Sequence, residues 1–346
     1  MKTNHRKALS FGIVFALSSP AFAQAKLQPH SMRVTGQVDP RFLSYNVEAV
    51  EVTGGRFWKP FKSASESGEP AKSGQQIDPY QYRPPIDLGN DRLRILASAL
   101  SPAFVRVSGT WRNSTYFQDD DAPALTTVPE GYKNVMTRGE WKGVVDFSHA
   151  VGADIVTSVS FSDGTRDANG NWTSGQAKAF FDYTKKIGGS IAATEFMNEP
   201  TFAAQGAAPA GYDAAAFAKD VKVFATFLHI ESPKTLFLGP GSIGEGVPMI
   251  EGMPLPKMIS TEDMLKGTGP IFDAFSYHFY TTLSERCVGK MGLSGRGLLR
   301  RPILIATPPR KPTMPVCATS IYQVNRSGSR KPAKQDAEAV VLPRPS

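Results

Sequence analysis

The sequence predicts an α/β protein built as an incomplete (β/α)8 barrel of the TIM type, with about six βα units and a basic, disordered carboxyl-terminal tail. Three observations lead there. Short apolar runs alternate with amphipathic stretches, and that alternation requires a mostly parallel sheet, because each helix returns the chain to the start of the next strand. No Gly-x-Gly-x-x-Gly follows the first strand, which favours a barrel over a doubly wound sheet. Composition then changes abruptly near Cys287, where the alternation stops. The 346 residues, 41% apolar and 10% aromatic, are ample for a sizeable core.

Residues 1–23, "MKTNHRKALSFGIVFALSSPAFA", have a basic start, a short apolar centre from Ala8 to Leu17 and an Ala21-Phe22-Ala23 ending. That layout is a secretory signal peptide cleaved after Ala23, and it implies a secreted or periplasmic protein. Its apolar run is too short to span a bilayer, and no other long apolar run appears. Residues 24–40 form an amino-terminal segment ahead of the barrel at 41–286. Strands are expected at 42–49, 103–109, 154–161, 192–199, 235–240 and 272–280, where apolar and β-branched residues cluster. Between them "NDRLRILASAL", "EWKGVVDFSHAVG", "QAKAFFDYTKKIG" and "DAAAFAKDVKVFATFLHIES" repeat apolar residues every three or four positions, with Gly152 and Gly188 where helix stops belong.

Barrel chemistry is carried at the carboxyl ends of strands. Those ends hold Glu48, Ser108 to Thr110, Asp163, Asn198 with Glu199, Gly241 with Ser242, and His278 with Tyr280. Carboxylate, amide, imidazole and phenol together suit a sugar site. The stretch "TEFMNEPTF", residues 194–202, is the most pointed of them, because Pro200 pushes Glu199 out of αR and cannot continue a strand ladder. It reads as a strand ending at a glutamate that sits behind an amide. Many retaining glycosidases set a general acid beside a donor to the sugar 2-hydroxyl in this way. Partial burial against Phe196 and Phe202 is the expected source of a raised pKa for such an acid.

Three stretches, "RFLSYNVEAV", "LRILASALSPAFVRVSGT" and "TEFMNEPTF", resemble glycoside hydrolase family 79, the heparanase and β-glucuronidase group, and "FDAFSYHFY" is similar to that family's sixth strand. The likeness covers residues 41 to about 286. It implies that Glu199 is the acid/base of a retaining β-glycoside hydrolase and that Asn198 orients the sugar. It also implies that Glu48 and Thr110 line the subsite, that Tyr277 or Tyr280 bonds the nucleophile, and that His278 belongs to the pocket. The substrate is then a glycan or glycoside, with no cofactor.

The family's nucleophile, a glutamate ending strand seven, has no counterpart. "PILIAT" runs into Pro308-Pro309 without an acid, Glu338 precedes "AVVL" at the wrong end of a strand, and Glu285 is reachable only from a loop. From Cys287 onward eleven Lys/Arg face two acids, so the tail carries +9 of the net +8 and residues 1–286 carry −1. The tail, residues 287–346, has one of 35 aromatics and eight of 27 prolines, so it cannot easily build a core. An out-of-frame reading of a GC-rich gene produces such a shift; a genuine basic extension is the alternative. The expectation is an inactive glycosidase, with a non-catalytic carbohydrate- or polyanion-binding secreted protein as the other reading. Nucleic acid is disfavoured because the tail has almost nothing to stack on bases. The five histidines are scattered and no Cys/His pair has ligand spacing, so no metal site is expected.

Overall fold

The computed structural model describes residues 28–34, 38–60, 80–243, 258–278 and 320–323. Residues 1–23, read above as a signal peptide, lie outside the described residues, as do Tyr280, Glu285, both cysteines and most of the tail. The chain divides at Gln37 and Val38. Within the first unit the described residues contain one turn of 3-10 helix, Pro29–Ser31.

The second unit is built on one sheet. Strands β1 (Tyr45–Glu48), β4 (Ala103–Ser108), β7 (Ala153–Ser158), β8 (Ile191–Glu195), β9 (Leu236–Ile243) and β10 (Ala274–His278) lie side by side in that order and pair in parallel. This sequential order, without reversal, is that of an incomplete (β/α)8 barrel rather than a doubly wound sheet. All six expected strands are present. Sequence periodicity did not show the short pairs β2 (Gly55–Trp58) with β3 (Tyr80–Arg83), or β5 (Thr115–Gln118) with β6 (Asn134–Thr137).

A seventh strand, β11 (Ser320–Gln323), pairs antiparallel with the outer edge of β10. The tail, read as largely without regular structure, contributes these four residues to the sheet. A free strand edge presents unpaired N–H and C=O groups, and β11 satisfies them on that side.

The helices are set by their ends. Thr137 and Glu140 form a reciprocal capping box at the start of α3 (Arg138–Val151), and Gly152 closes it in the left-handed region at φ 64°. Asn90, Asp213 and Ser260 accept backbone N–H groups at the starts of α2 (Asp91–Ser98), α5 (Ala214–Glu231) and α6 (Thr261–Thr268). The remaining helices are α1 (Ala49–Thr53), directly after β1, and α4 (Gly175–Lys186). The helices cover one face of the sheet: Val105, Val107, Ile155 and Phe237 share a core with Trp141, Val144, Phe180 and Phe224. Among the described residues no helix is long and apolar enough to cross a membrane.

Candidate active site

The opposite face of the sheet is the barrel interior, and it is layered. Phe104, Val156, Ala193, Leu238 and Ala274 form a small apolar floor. Side chains two residues apart on a strand share a face. Moving towards the carboxyl ends, Phe104 gives way to Arg106, Val156 to Ser158, Ala193 to Glu195, and Ala274 to Ser276 and then His278, all buried. An apolar floor beneath a charged rim keeps the rim groups partly desolvated, which strengthens their interactions.

Arg106 organises the rim. Its Nη2 donates to Glu195 Oε2 at 2.6 Å and to Asn198 Oδ1 at 3.0 Å, while Nη1 donates to Asn46 Oδ1 at 3.0 Å. The Arg106 and Glu195 side chains are only 8% and 3% exposed. Burial opposes the charge on Glu195, but Arg106 and His278 beside it outweigh burial and hold the carboxyl well below its ordinary value. Glu195 Oε1 also lies against the backbone of β9 at Gly241, whose φ of 71° suits glycine and where an added Cβ would stand a tight 3.0 Å from that oxygen.

His278 links this ion pair to the second glutamate. Its Nδ1 is 3.0 Å from Glu199 Oε1, and its Nε2 is 3.5 Å from Glu195 Oε1 and 3.4 Å from Arg106 Nη2. Burial disfavours the imidazolium, yet the Glu195 and Glu199 carboxyls more than compensate, and the His278 pKa is raised above 6.5. Protonated, the ring directs an N–H at each carboxyl.

The strand does not run to Glu199. It ends at Glu195, and the chain turns through Phe196–Asn198 before Glu199 adopts the left-handed conformation, φ 53° and ψ 59°, ahead of the 3-10 turn Pro200–Phe202. Pro200 does exclude αR at Glu199, but the residue enters the left-handed region rather than the extended one. A non-glycine residue there is strained by about 1–3 kcal/mol, and such strain persists only where the surroundings over-determine it. The expected packing of Phe196 beside the acid is also corrected: Phe196 points into the helix-side core, against Trp172 and Phe224. His278 is in hydrogen-bond contact with the Glu199 carboxyl.

Glu48, at the end of β1, holds its proton to higher pH than an ordinary carboxyl. Burial, chiefly, pushes its pKa up to about 7; Arg106 pulls it down and Glu199 pushes it up. Its Oε1 accepts from Asn46 at 3.3 Å, while its buried Oε2 has no hydrogen-bond partner. The carboxyl lies directly over Gly109, whose positive φ of 103° and missing side chain make that approach possible: an added Cβ would be 1.6 Å from Oε2.

The structure therefore brings together Glu48, Thr110, Asn198, Glu199 and His278, with Thr110 Oγ1 accepting from Asn198 Nδ2 at 3.4 Å. Tyr277 does not join them. It stacks on Phe275 at 6.3 Å, and both residues alternate with the inward-facing Ser276 and His278, so they belong to the other face of β10. Asp163 opens a separate 3-10 turn, Asp163–Thr165, and Ser242 is taken up by the Thr261 hydroxyl at 2.6 Å.

Sequence reasoning missed Arg106, Glu195 and Asn113. A lone charge in the apolar run "AFVRVS" was the available signal for Arg106. Beside the rim, Trp111 packs edge-on with Phe57 and Tyr80, anchoring the β2–β3 pair next to Thr110. Among the described residues no group of three or more His, Cys, Asp or Glu side chains is arranged to hold a metal ion.

No family model matches the sequence, and no curated protein matches it. Solved structures with similar backbones include the family 51 α-L-arabinofuranosidase AbfB from Bifidobacterium longum, at 14% identity and TM-score 0.40, covering 70% of this chain and 45% of that one. The catalytic domain of the family 30 xylanase C from Talaromyces cellulolyticus has 11% identity and TM-score 0.36, covering 55% and 49%. The family 30 subfamily 8 xylanase Xyn30A from Clostridium acetobutylicum has 15% identity and TM-score 0.33, covering 60% and 50%. The chain thus spans about half the length of these structures or less.

Proposed function

We propose that the rim is the acid/base half of a retaining β-glycoside hydrolase site of the heparanase and β-glucuronidase type, and that the chain binds a glycoside without turning it over. The observation that carries this reading is the convergence of Glu199, Asn198, Glu48 and Thr110 on one charged rim above an apolar floor. In the proposed roles, Glu199 protonates the departing oxygen, Asn198 and Thr110 orient sugar hydroxyls, and Glu48, protonated up to about pH 7, donates to one more. His278 and the Arg106–Glu195 pair hold Glu199 and Asn198 in position.

Retention needs a second, ionised carboxylate about 5–5.5 Å from the acid. In a barrel it would come from a strand running parallel to β10. That edge is occupied by β11, which is antiparallel and whose four residues include no acid. This supports a site that recognises sugar and lacks the displacement step.

Calorimetric titration with an aryl β-glucuronide, alongside a release assay, tests the proposal. The expected result is binding that Asn198→Ala weakens, with no aryl alcohol released. Turnover abolished by Glu199→Gln would overturn the missing step. Absence of binding to β-glucuronides, galactosides and methylated uronides alike would overturn the sugar site.

A further inference from the structure

We infer that Asn113 is the positioning residue that holds Glu199 in its strained conformation and so aims the carboxyl at His278. The role of Glu199 as the acid rests on the function proposed above; the clamp itself is read from geometry. Asn113 lies in the 3-10 turn Thr110–Ser114 that follows β4, is fully buried, and is 85 residues from its partner. Its Oδ1 accepts from the Asn198 backbone N–H at 2.8 Å, and its Nδ2 donates to the Asn198 carbonyl at 3.0 Å. One amide thereby satisfies both backbone groups of the residue preceding Glu199.

The consequence is geometric. The Asn198 carbonyl lies in the peptide plane that contains the Glu199 nitrogen. Fixing that carbonyl fixes one side of the Glu199 φ rotation. The other side is fixed by the Glu199 carbonyl, which accepts from the Phe202 N–H at 3.1 Å, and by the ring of Pro200. The Asn198 side chain is held separately, by Arg106 and Thr110. With all these in place, φ at Glu199 stays at 53° and Oε1 sits 3.0 Å from His278 Nδ1.

The turn that carries Asn113 is itself immobilised. Its backbone carbonyl accepts from Phe161 N, Ser162 N and Ser160 Oγ, so the loop after β7 braces it. The amide is the group the site needs at this point. An aspartate accepts from the Asn198 N–H but offers no donor to its carbonyl, and a leucine of similar size offers neither.

Two readouts on the full chain test the clamp, and neither involves turnover, so failure of the sugar-site proposal leaves them intact. The first is the NMR titration of the His278 imidazole, which faces Glu195, Glu199 and Arg106. Asn113→Ala, shown folded by circular dichroism, is expected to shift the His278 pKa down towards 6.5 as Glu199 leaves the ring. An unchanged titration in a folded variant overturns the proposal. The second is a double-mutant cycle with Asn113→Ser, used also if the alanine variant fails to fold. In a Glu199→Gly background the left-handed conformation is unstrained, so loss of the clamp releases no strain, and the fall in unfolding midpoint caused by Asn113→Ser is expected to be larger than in the wild type. Equal falls in the two backgrounds overturn the proposal.

Discussion

Replacing Arg106 by methionine keeps an unbranched apolar stem and removes the guanidinium from an enclosed ion pair. Glu195, only 3% exposed, then loses a partner at 2.6 Å and keeps the His278 ring at 3.5 Å. Breaking a buried pair from one side costs about 3–5 kcal/mol, because the remaining charge loses its main counter-ion without gaining water. The lost bond to Asn198 Oδ1 adds about 1 kcal/mol, and the imidazolium offsets part of the total. A loss of about 3–5 kcal/mol is thus expected in urea unfolding at pH 7, against a total stability of about 5–15 kcal/mol for an ordinary domain.

Two further arms check the cause. Pairing Arg106→Met with Glu195→Leu removes both charges and should recover most of the loss. The Glu195 pKa is depressed in the fold, so its contribution is complete above its ordinary value of 4.5 and is lost as pH falls below that towards the depressed value. Arg106→Met should flatten this acid limb. A single variant that loses less than about 1 kcal/mol, or a double variant no more stable than the single one, would refute the reasoning.

Glu48 gives the opposite pH signature. Its folded pKa of about 7 lies above the ordinary 4.5, so the folded chain holds the extra proton and stability falls as pH rises between those values. Glu48→Gln should match the wild type near pH 4 and exceed it by up to about 3 kcal/mol at pH 8, followed by thermal melts across that range. Gly109→Ala forces a Cβ onto Glu48 Oε2 at a φ of 103°, and calorimetry should show a loss of about 2 kcal/mol or more. Phe224, fully buried among Phe196, Trp172, Phe227 and Phe237, anchors α5 to the sheet; Phe224→Ala should cost about 3–5 kcal/mol in urea, with m unchanged.

The sheet and its long helices could be read because their periods differ: β4 alternates Phe104, Arg106 and Ser108 with Val105 and Val107, whereas α3 repeats Trp141, Val144, Val145 and Ser148. Glu48, Asn198, Glu199 and His278 could be placed for a related reason, since each stands at or just past the carboxyl end of such a strand. The conformation of Glu199 could not. It is imposed by Asn113 from 85 residues away, and nothing in "TWRNS" announces that bond. Tyr277, named with Tyr280 on the family resemblance, alternates with the inward-facing His278 and so falls on the other face of β10. The pairs β2–β3 and β5–β6 escaped notice because their partners are distant in sequence, while β11 escaped because four residues in a basic tail carry no periodic signal.

The direction of β11 bears on the chemistry as much as its sequence does. In register, Ser320 lies opposite Tyr277 and Gln323 opposite Ala274, so the chain passes down β10 from the rim to the apolar floor. A parallel strand at this edge would end at the rim and deliver its carboxyl-terminal side chains beside His278. An antiparallel one ends at the floor. Among the described rim carboxyls, Glu195 is committed to Arg106, leaving Glu48 as the carboxyl coupled electrostatically to Glu199. Below about pH 7 Glu48 is protonated, and a neutral carboxyl donates a hydrogen bond but does not attack a sugar carbon. The same burial that keeps Glu48 protonated therefore makes it a poor nucleophile, in keeping with the proposed binding without displacement.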